Sequence, residues 1–222
     1  MPKLFMYKAK NADIVAILRR GDKRKTWQLI RWDITSDTFQ EGQWLMNKMI
    51  HPRYSAISPD GKYFFYHYWE NGHYSEDAVF SKIPNFTAEY YGTWNTYYQD
   101  CSFTNDGKGV VSLEKQFVKR NNNTELELVL RNNVDKDDIV LTGYVGTRDY
   151  YSKFLTADGN MELDETLPKF SGDYKFDEYY EKHASFIDMK GRNITVKEGI
   201  LYADGEILLD TTNNAFKPVE PI

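Results

Sequence analysis

Apolar and aromatic residues fill consecutive positions in YFFYHYW (63–69), which follows the turn-forming sequence SPDG (58–61). A strand with one wet face shows alternation, as TELELVLR (124–131) does. Continuous apolar strands occur where a sheet is covered on both faces. The segment therefore predicts a strand packed between two other sheets. Its side chains divide between the two neighbours, with Tyr63, Phe65, His67 and Trp69 on one side and Phe64, Tyr66 and Tyr68 on the other.

Asp-Gly dipeptides recur along the chain at intervals of 46, 52 and 46 residues. They are Asp60-Gly61, Asp106-Gly107, Asp158-Gly159 and Asp204-Gly205. Asp accepts hydrogen bonds from the backbone amides just ahead of it, and Gly adopts the positive φ that a tight turn requires. Each dipeptide predicts a turn between two strands, and the regular spacing predicts that the four turns occupy equivalent positions of successive sheets.

A repeat of this length, built from three or four strands, has the size of one β-propeller blade. The sequence predicts an all-β fold: a small or irregular β-propeller-like array of about four to five antiparallel sheets. We expect a single domain over residues 1–212 and an extended C-terminal tail over 213–222. The segment 165–183 interrupts the repeat, and its DEYYEKH (177–183) predicts a short helical insertion.

The segment ISPDGKYFFY (57–66) resembles the Ser-Pro-Asp-Gly-Lys blade motif of TolB-type and WD-repeat propellers. LIRWDI (29–34) resembles the strand that closes such blades, and residues 14–70 are similar to a group of uncharacterised bacterial proteins. Later copies of the motif are degraded, with Thr104-Asn105 in place of Ser58-Pro59. The resemblance implies a structural repeat and assigns no catalytic residue.

The net charge of −5 argues against general nucleic-acid binding, which needs a basic surface. RRGDKRK (19–25) is the basic exception, and it fits either a solvated turn or a phosphate-contacting patch. Cys101 is the one cysteine, so the chain forms no internal disulfide and fits a reducing compartment. No run approaches the ~18 apolar residues of a membrane span. We expect a cytoplasmic location.

Motifs for chemistry are weak. His67 and His73 lie six residues apart with Glu70 between them, but no third metal ligand is evident. Cys101 falls in a predicted strand, where a buried, inert thiol is expected. The chain has no Gly-x-Ser-x-Gly elbow and no phosphate loop. We therefore predict neither a metal nor another cofactor, and no catalytic residues.

Aromatic residues are concentrated in YHYWENGHY (66–74) and EYYGTWNTYY (89–98). They fit packing between blades, or a protein-binding rim, since rings with polar tips suit interfaces. Gly92, Thr93, Asn95 and Thr96 favour a loop or a broken edge for the second segment. The candidate binding residues are Trp69, Tyr74, Tyr90, Tyr91, Trp94, Tyr97 and Tyr98.

The functional prediction is a non-catalytic protein-binding module of the bacterial cytoplasm, such as an immunity protein or an assembly adaptor. Its net charge favours a basic partner protein, through electrostatic steering. The alternative is a small propeller that binds carbohydrate or hydrolyses glycosides, since such hydrolysis needs only a suitably spaced pair of carboxylates.

Overall fold

The structure is a computed structural model, and it describes residues 1–22, 25–52, 55–70, 76–94, 101–111, 117–140, 144–145, 181 and 184–216. Strands dominate this part of the chain. Its helical conformation consists of two single-turn 3₁₀ helices, Arg131–Asn133 and Lys136–Asp138, together with the single residues Pro52 and Glu181. The predicted helical insertion at 165–183 lies outside the described residues, Glu181 excepted. No helix within the described ranges is long and apolar enough to cross a membrane.

The first sheet is antiparallel and has the strand order β15-β1-β2-β3-β4. Its strands are β1 (Lys3–Lys8), β2 (Ile14–Arg20), β3 (Thr26–Asp33), β4 (Thr38–Met46) and β15 (Tyr144–Val145). Every residue of β2 is buried. This is the pattern of a strand that is covered on both faces.

The second sheet is also antiparallel, with the order β12-β9-β8-β7-β5 and with β6 pairing beside β5 on β7. Its strands are β5 (Lys48–Ile50), β6 (Ala56–Ile57), β7 (Tyr63–Glu70), β8 (Glu76–Lys82), β9 (Ala88–Trp94) and β12 (Phe117–Lys119). The short strands β5 and β6 pair with the two halves of β7.

The third and fourth sheets have four strands each. The third has the order β13-β11-β10-β14, from β10 (Ser102–Thr104), β11 (Gly109–Val111), β13 (Leu128–Leu130) and β14 (Ile139–Val140). The fourth has the order β16-β17-β18-β19, from β16 (Ser185–Ile187), β17 (Asn193–Lys197), β18 (Ile200–Ala203) and β19 (Glu206–Asp210). The expectation of purely antiparallel sheets is wrong at one pair, because β11 and β13 are parallel. Residues 112–127 connect the two strands, and this segment is long enough for the crossover that a parallel pair requires.

The four sheets stack face to face around two hydrophobic cores. The first core joins the first sheet to the second, where the Tyr7 and Phe64 ring centroids lie 4.9 Å apart. It also joins the first sheet to the fourth, where the Trp32 and Phe186 centroids lie 6.4 Å apart. The second core lies between the second and third sheets and includes Phe80 and Phe103. The stacking order is therefore fourth, first, second, third.

Strand β7 contributes to both cores, as its sequence predicts. Phe64, Tyr66 and Tyr68 belong to the first core, and Tyr63 and Phe65 belong to the second. The strand lies between two other sheets, and continuous aromatic residues fill both of its faces.

The turns at Asp60 and Asp106 have the same construction. The Gly61 amide donates to the Ser58 carbonyl and the Gly107 amide to the Thr104 carbonyl, each at 2.9 Å. Both glycines have positive φ, 72° and 89°. The Asp60 turn connects β6 to β7 in the second sheet, and the Asp106 turn connects β10 to β11, the first two strands of the third sheet along the chain.

The expected equivalence fails for Asp204 and Gly205, which lie between β18 and β19. In the fourth sheet the first turn is formed by Asp188 and Gly191, whose amide donates to the Asp188 carbonyl at 3.0 Å. At the Asp204 turn both central residues have positive φ, 52° and 87°. An Asp-Gly dipeptide suits that two-residue hairpin as well as the longer turn, so it does not mark one position in the sheet. Asp158 and Gly159 lie outside the described residues.

An ion-pair cluster connects the fourth sheet to the first. Arg192 donates to both carboxylate oxygens of Asp37, at 2.9 and 2.8 Å, and Lys190 donates to the same carboxylate at 2.6 Å. Arg192 also donates to Asp188 at 2.8 Å. The hydrogen bond from Arg192 lowers the pKa of Asp37 to about 2. The cluster fixes the loop between β3 and β4 against the loop between β16 and β17.

Candidate functional site

The register of the second sheet brings two of the predicted aromatic residues to one end of that sheet. Glu76, the first residue of β8, pairs with Trp69 of β7 on one side and with Trp94 of β9 on the other. The backbones of Trp69 and Trp94 therefore flank Glu76 in one row, while their side chains are not described. Three more of the seven predicted binding residues lie outside the described part of the chain: Tyr74, Tyr97 and Tyr98.

Residues 88–94 form strand β9, so the prediction of a loop or broken edge is wrong for this part of the segment. The strand lies between β8 and β12, and Gly92 pairs with Ala78 on one side and Phe117 on the other. Tyr, Trp and Thr favour strands, and the strand preference of these residues around Gly92 outweighs the cost of one Gly in the strand. Strand β12 arrives from more than 20 residues further along the chain, so no local signal indicated it.

Tyr90 and Tyr91 are half-buried on opposite faces of β9. Tyr90 packs against the second core, and its hydroxyl donates to the Leu126 carbonyl at 3.1 Å. Tyr91 packs against the first core. Each ring is therefore fixed by packing while part of its surface remains in contact with solvent.

Polar and cationic groups surround Tyr91. The Thr93 hydroxyl donates to the Tyr91 hydroxyl at 3.3 Å, and the Arg120 guanidinium lies 5.3 Å from the centre of the Tyr91 ring. A guanidinium at this distance is attracted to the ring face. These contacts restrict the orientation of Tyr91 without covering it.

A buried carboxylate lies beneath these groups. Asp77 is 6% exposed and accepts a hydrogen bond from Tyr68, whose ring has the Lys48 ammonium 4.9 Å from its centre. Burial strongly raises the pKa of Tyr68, and Asp77 and Tyr91 raise it further. Tyr68 therefore remains a neutral hydrogen-bond donor, and it supports Asp77 in a site with little water.

Strand β12 forms the outer edge of the site. Val118 pairs with Tyr91 and is 52% exposed, and Lys119 and Arg120 beside it are also exposed. Within the described ranges β12 pairs with β9 alone. Val118 and Arg120 were not among the residues identified from sequence, because their local pattern is only an apolar residue between Phe117 and two cations.

The described residues contain no group of three or more His, Cys, Asp or Glu side chains placed to hold a metal ion. Two further buried carboxylates besides Asp77 are engaged, Glu89 with Asn121 at 2.9 Å and Asp188 with Arg192. Cys101 is buried in the second core.

His67 is buried within the second sheet, and its ring meets Phe65 edge to face with centroids 4.8 Å apart. His73, its proposed companion as a metal ligand, lies outside the described residues.

Comparison with known proteins gives no further guidance: no family model, no curated protein and no solved structure matches the chain.

Proposed function

We propose that the chain is a non-catalytic protein-binding module that contacts its partner through the outer end of the second sheet. The observation that carries the proposal is the environment of Tyr91. Its ring is fixed by Thr93 and Arg120, remains partly exposed, and pairs across the strands with exposed Val118. A ring that is already held in one orientation loses little entropy when a partner covers it. Tyr and Arg are also enriched among the residues that dominate binding energy.

Strand β12 supports a second kind of contact, since among the described residues it pairs with β9 alone. A strand edge without a partner offers backbone donors and acceptors to an extended segment of another protein. Lys119 and Arg120 limit uncontrolled pairing at this edge, since charged side chains disfavour edge-to-edge aggregation. A partner with acidic groups beside its strand would overcome that restriction.

The stacking of the sheets supports an open, propeller-like arrangement. Each sheet packs face to face on the next, and three sheets carry the same turn between consecutive strands. Within this proposal the sheets are blades, and the outer strands β9 and β12 present the binding surface on the rim.

The overall charge supports a basic partner. A net charge of −5 attracts a basic protein over long range, whereas Lys119 and Arg120 govern local pairing. Within this proposal the protein acts in the bacterial cytoplasm as an immunity protein or assembly adaptor.

Carbohydrate binding is a second candidate, which the partly exposed rings of Tyr90 and Tyr91 favour. Glycoside hydrolysis has less support, because it needs two carboxyl groups roughly 5 to 9.5 Å apart and available to substrate. The buried carboxylates Asp77, Glu89 and Asp188 are each engaged by a protein side chain.

The proposal is tested by replacing Val118 with Asp in the full chain and comparing the proteins captured from cells of the native host. Because Val118 is exposed, the fold should tolerate the change, while the new charge disrupts an apolar contact. We expect the captured amount of the partner to fall at least tenfold. Ile207→Asp, at another exposed apolar position on β19, is the matched control and should keep the partner. Equal capture by Val118→Asp would contradict the proposal, and selective binding to a glycan array would favour the carbohydrate candidate.

A further inference from the structure

Residues 211–216 lie against one end of the first sheet. This segment follows β19 and forms no strand of its own. Thr211 is fully buried, and its amide and hydroxyl donate to the Gly199 carbonyl at 3.1 and 2.7 Å. The Asn214 amide then donates to the Thr211 carbonyl at 3.1 Å and closes a turn. We call residues 211–216 the strap.

Arg19 of β2 holds the main chain of the strap. Its side chain is 3% exposed; Nε and Nη2 donate to the Thr211 carbonyl at 3.1 and 3.0 Å, and Nη2 also donates to the Asn214 carbonyl at 3.2 Å. Burial lowers the pKa of Arg19. The acceptors that the described residues provide for this guanidinium are thus carbonyl oxygens of the strap. A buried cation that depends on them makes the contact costly to lose without replacement.

Two further side chains of the first sheet contact the side chains of the strap. The Asn214 side-chain amide donates to the Gln28 side-chain oxygen at 3.1 Å. The rings of Trp44 and Phe216 meet edge to face, with centroids 6.1 Å apart. Arg19 completes the arrangement, since its guanidinium lies 5.2 Å from the centre of the Trp44 ring.

The contacts of the strap are mainly polar, whereas the stacked sheets meet largely through apolar faces. The strap is held by hydrogen bonds to its main chain, by one side-chain amide and by one ring. Proteins that bind peptides use the same kinds of contact, in which main-chain bonds give affinity and selected side chains give specificity. Phe216 is still 44% exposed, so its contact with Trp44 covers only part of the ring.

We propose that Arg19, Gln28 and Trp44 form a peptide-recognition surface, which the strap occupies within the chain. An Asn-x-aromatic segment of a partner protein, folded into the same turn, takes the surface over by displacing the strap. The surface lies on the first sheet, so the inference is independent of the proposed function of the second sheet. The tethered strap competes at an effective concentration of the order of millimolar. The surface therefore remains occupied until a partner with a better-fitting segment arrives.

A labelled peptide with the sequence of residues 211–216, acetylated and amidated, provides the test by fluorescence anisotropy. It is titrated into the wild-type chain and into a full-length Asn214→Ala/Phe216→Ala variant, whose own strap competes less well. We expect the variant to bind the peptide at least tenfold more tightly than the wild type. Adding Arg19→Gln should weaken this binding at least tenfold. Arg31→Gln on β3 is the matched control and should leave binding unchanged, because Arg31 pairs with Asp33.

Absence of saturable binding to the folded double variant, or binding that ignores Arg19→Gln, would overturn the proposal. Hydrogen exchange of the wild type gives a test that needs no variant. A strap that can be displaced opens locally, so the amides of Thr211 and Asn214 should exchange at least ~100-fold faster than those of β2. Exchange at the same rate as β2 would show that the strap leaves only when the protein unfolds, and would also overturn the proposal.

Discussion

At the scale of single residues, Gly61 shows how one turn position carries two separate constraints. Its φ is 72°, and a Cβ added there would lie 2.7 Å from the Cβ of Ile14 on the first sheet. Replacing Gly61 with Ala should therefore add backbone strain and a steric clash. We expect a loss of about 2 to 4 kcal/mol in the free energy of unfolding, with Gly61→Val at least as severe. Urea denaturation measures it.

Gly107 is the matched control for this prediction. It occupies the corresponding turn of the third sheet with a φ of 89°, and a Cβ there would have no described atom within 4 Å. Gly107→Ala should cost only the strain, about 1 kcal/mol. If the two alanine variants lose the same stability, Ile14 has room to move and the contact between the sheets is looser than the structure indicates.

The same turns show what could be predicted from sequence at this scale. Ser58 and Thr104 were identifiable because an Asp and a Gly follow them at fixed positions. The equivalent turn of the fourth sheet, at Asp188, places Lys190 where the others have Asp, and its Gly191 retains the positive φ of 77°. Its Asp precedes the Gly by three residues and accepts from the Lys190 and Arg192 amides, both at 2.9 Å. A search for Asp-Gly therefore could not find this turn.

At the scale of elements, β7 is a strand with two buried faces, and truncation on either face should be costly. Phe64 and Phe65 are both 0% exposed, and they belong to different cores. We expect Phe64→Ala and Phe65→Ala each to destabilise the protein by about 3 to 5 kcal/mol. Chemical denaturation of the two variants measures the losses.

Strand β17 provides the comparison with a one-sided strand. Ile194 is 0% exposed, while its neighbour Thr195 is only half-buried. Ile194→Ala should cost about 2 to 5 kcal/mol and Thr195→Ala less than about 1 kcal/mol. If Phe64→Ala or Phe65→Ala cost as little as Thr195→Ala, the assignment of that face of β7 to a core would be contradicted.

The two faces of β7 could be predicted because consecutive apolar residues leave no wet side. The pairing of β9 with β12 could not be predicted, because 22 residues, 95–116, separate the two strands in sequence. The candidate site was therefore found only in part. Tyr90 and Tyr91 were identified from composition, whereas Val118 and Arg120 reach them through a strand pairing that no local pattern encodes.

At the scale of the whole molecule, docking of the fourth sheet should depend on pH. The pKa of Asp37 is lowered to about 2 from an ordinary value of 3.8, so its contribution is present above pH 4. It is lost as the pH falls from 4 to 2. Because the Asp37 side chain is 28% exposed, solvent screening reduces the contribution to about 1 kcal/mol. A double-mutant cycle of Asp37→Asn and Arg192→Gln should measure this coupling at pH 6 and find it much smaller at pH 2. Coupling that is zero at pH 6, or independent of pH, would contradict the role of the cluster.

The late position of the fourth sheet in the chain has a consequence for synthesis. The four long strands of the first sheet, β1 to β4, have all been made once β4 leaves the ribosome, and one of their faces bears Trp32. Phe186 and the strands that cover that face are made some 140 to 165 residues later. At about 5 to 20 residues per second this delay lasts roughly ten to thirty seconds. During that interval the apolar face of the first sheet lacks the cover that the fourth sheet provides. The nascent chain should therefore be a substrate for chaperones that bind exposed hydrophobic strands, and it should release them once the fourth sheet has been made.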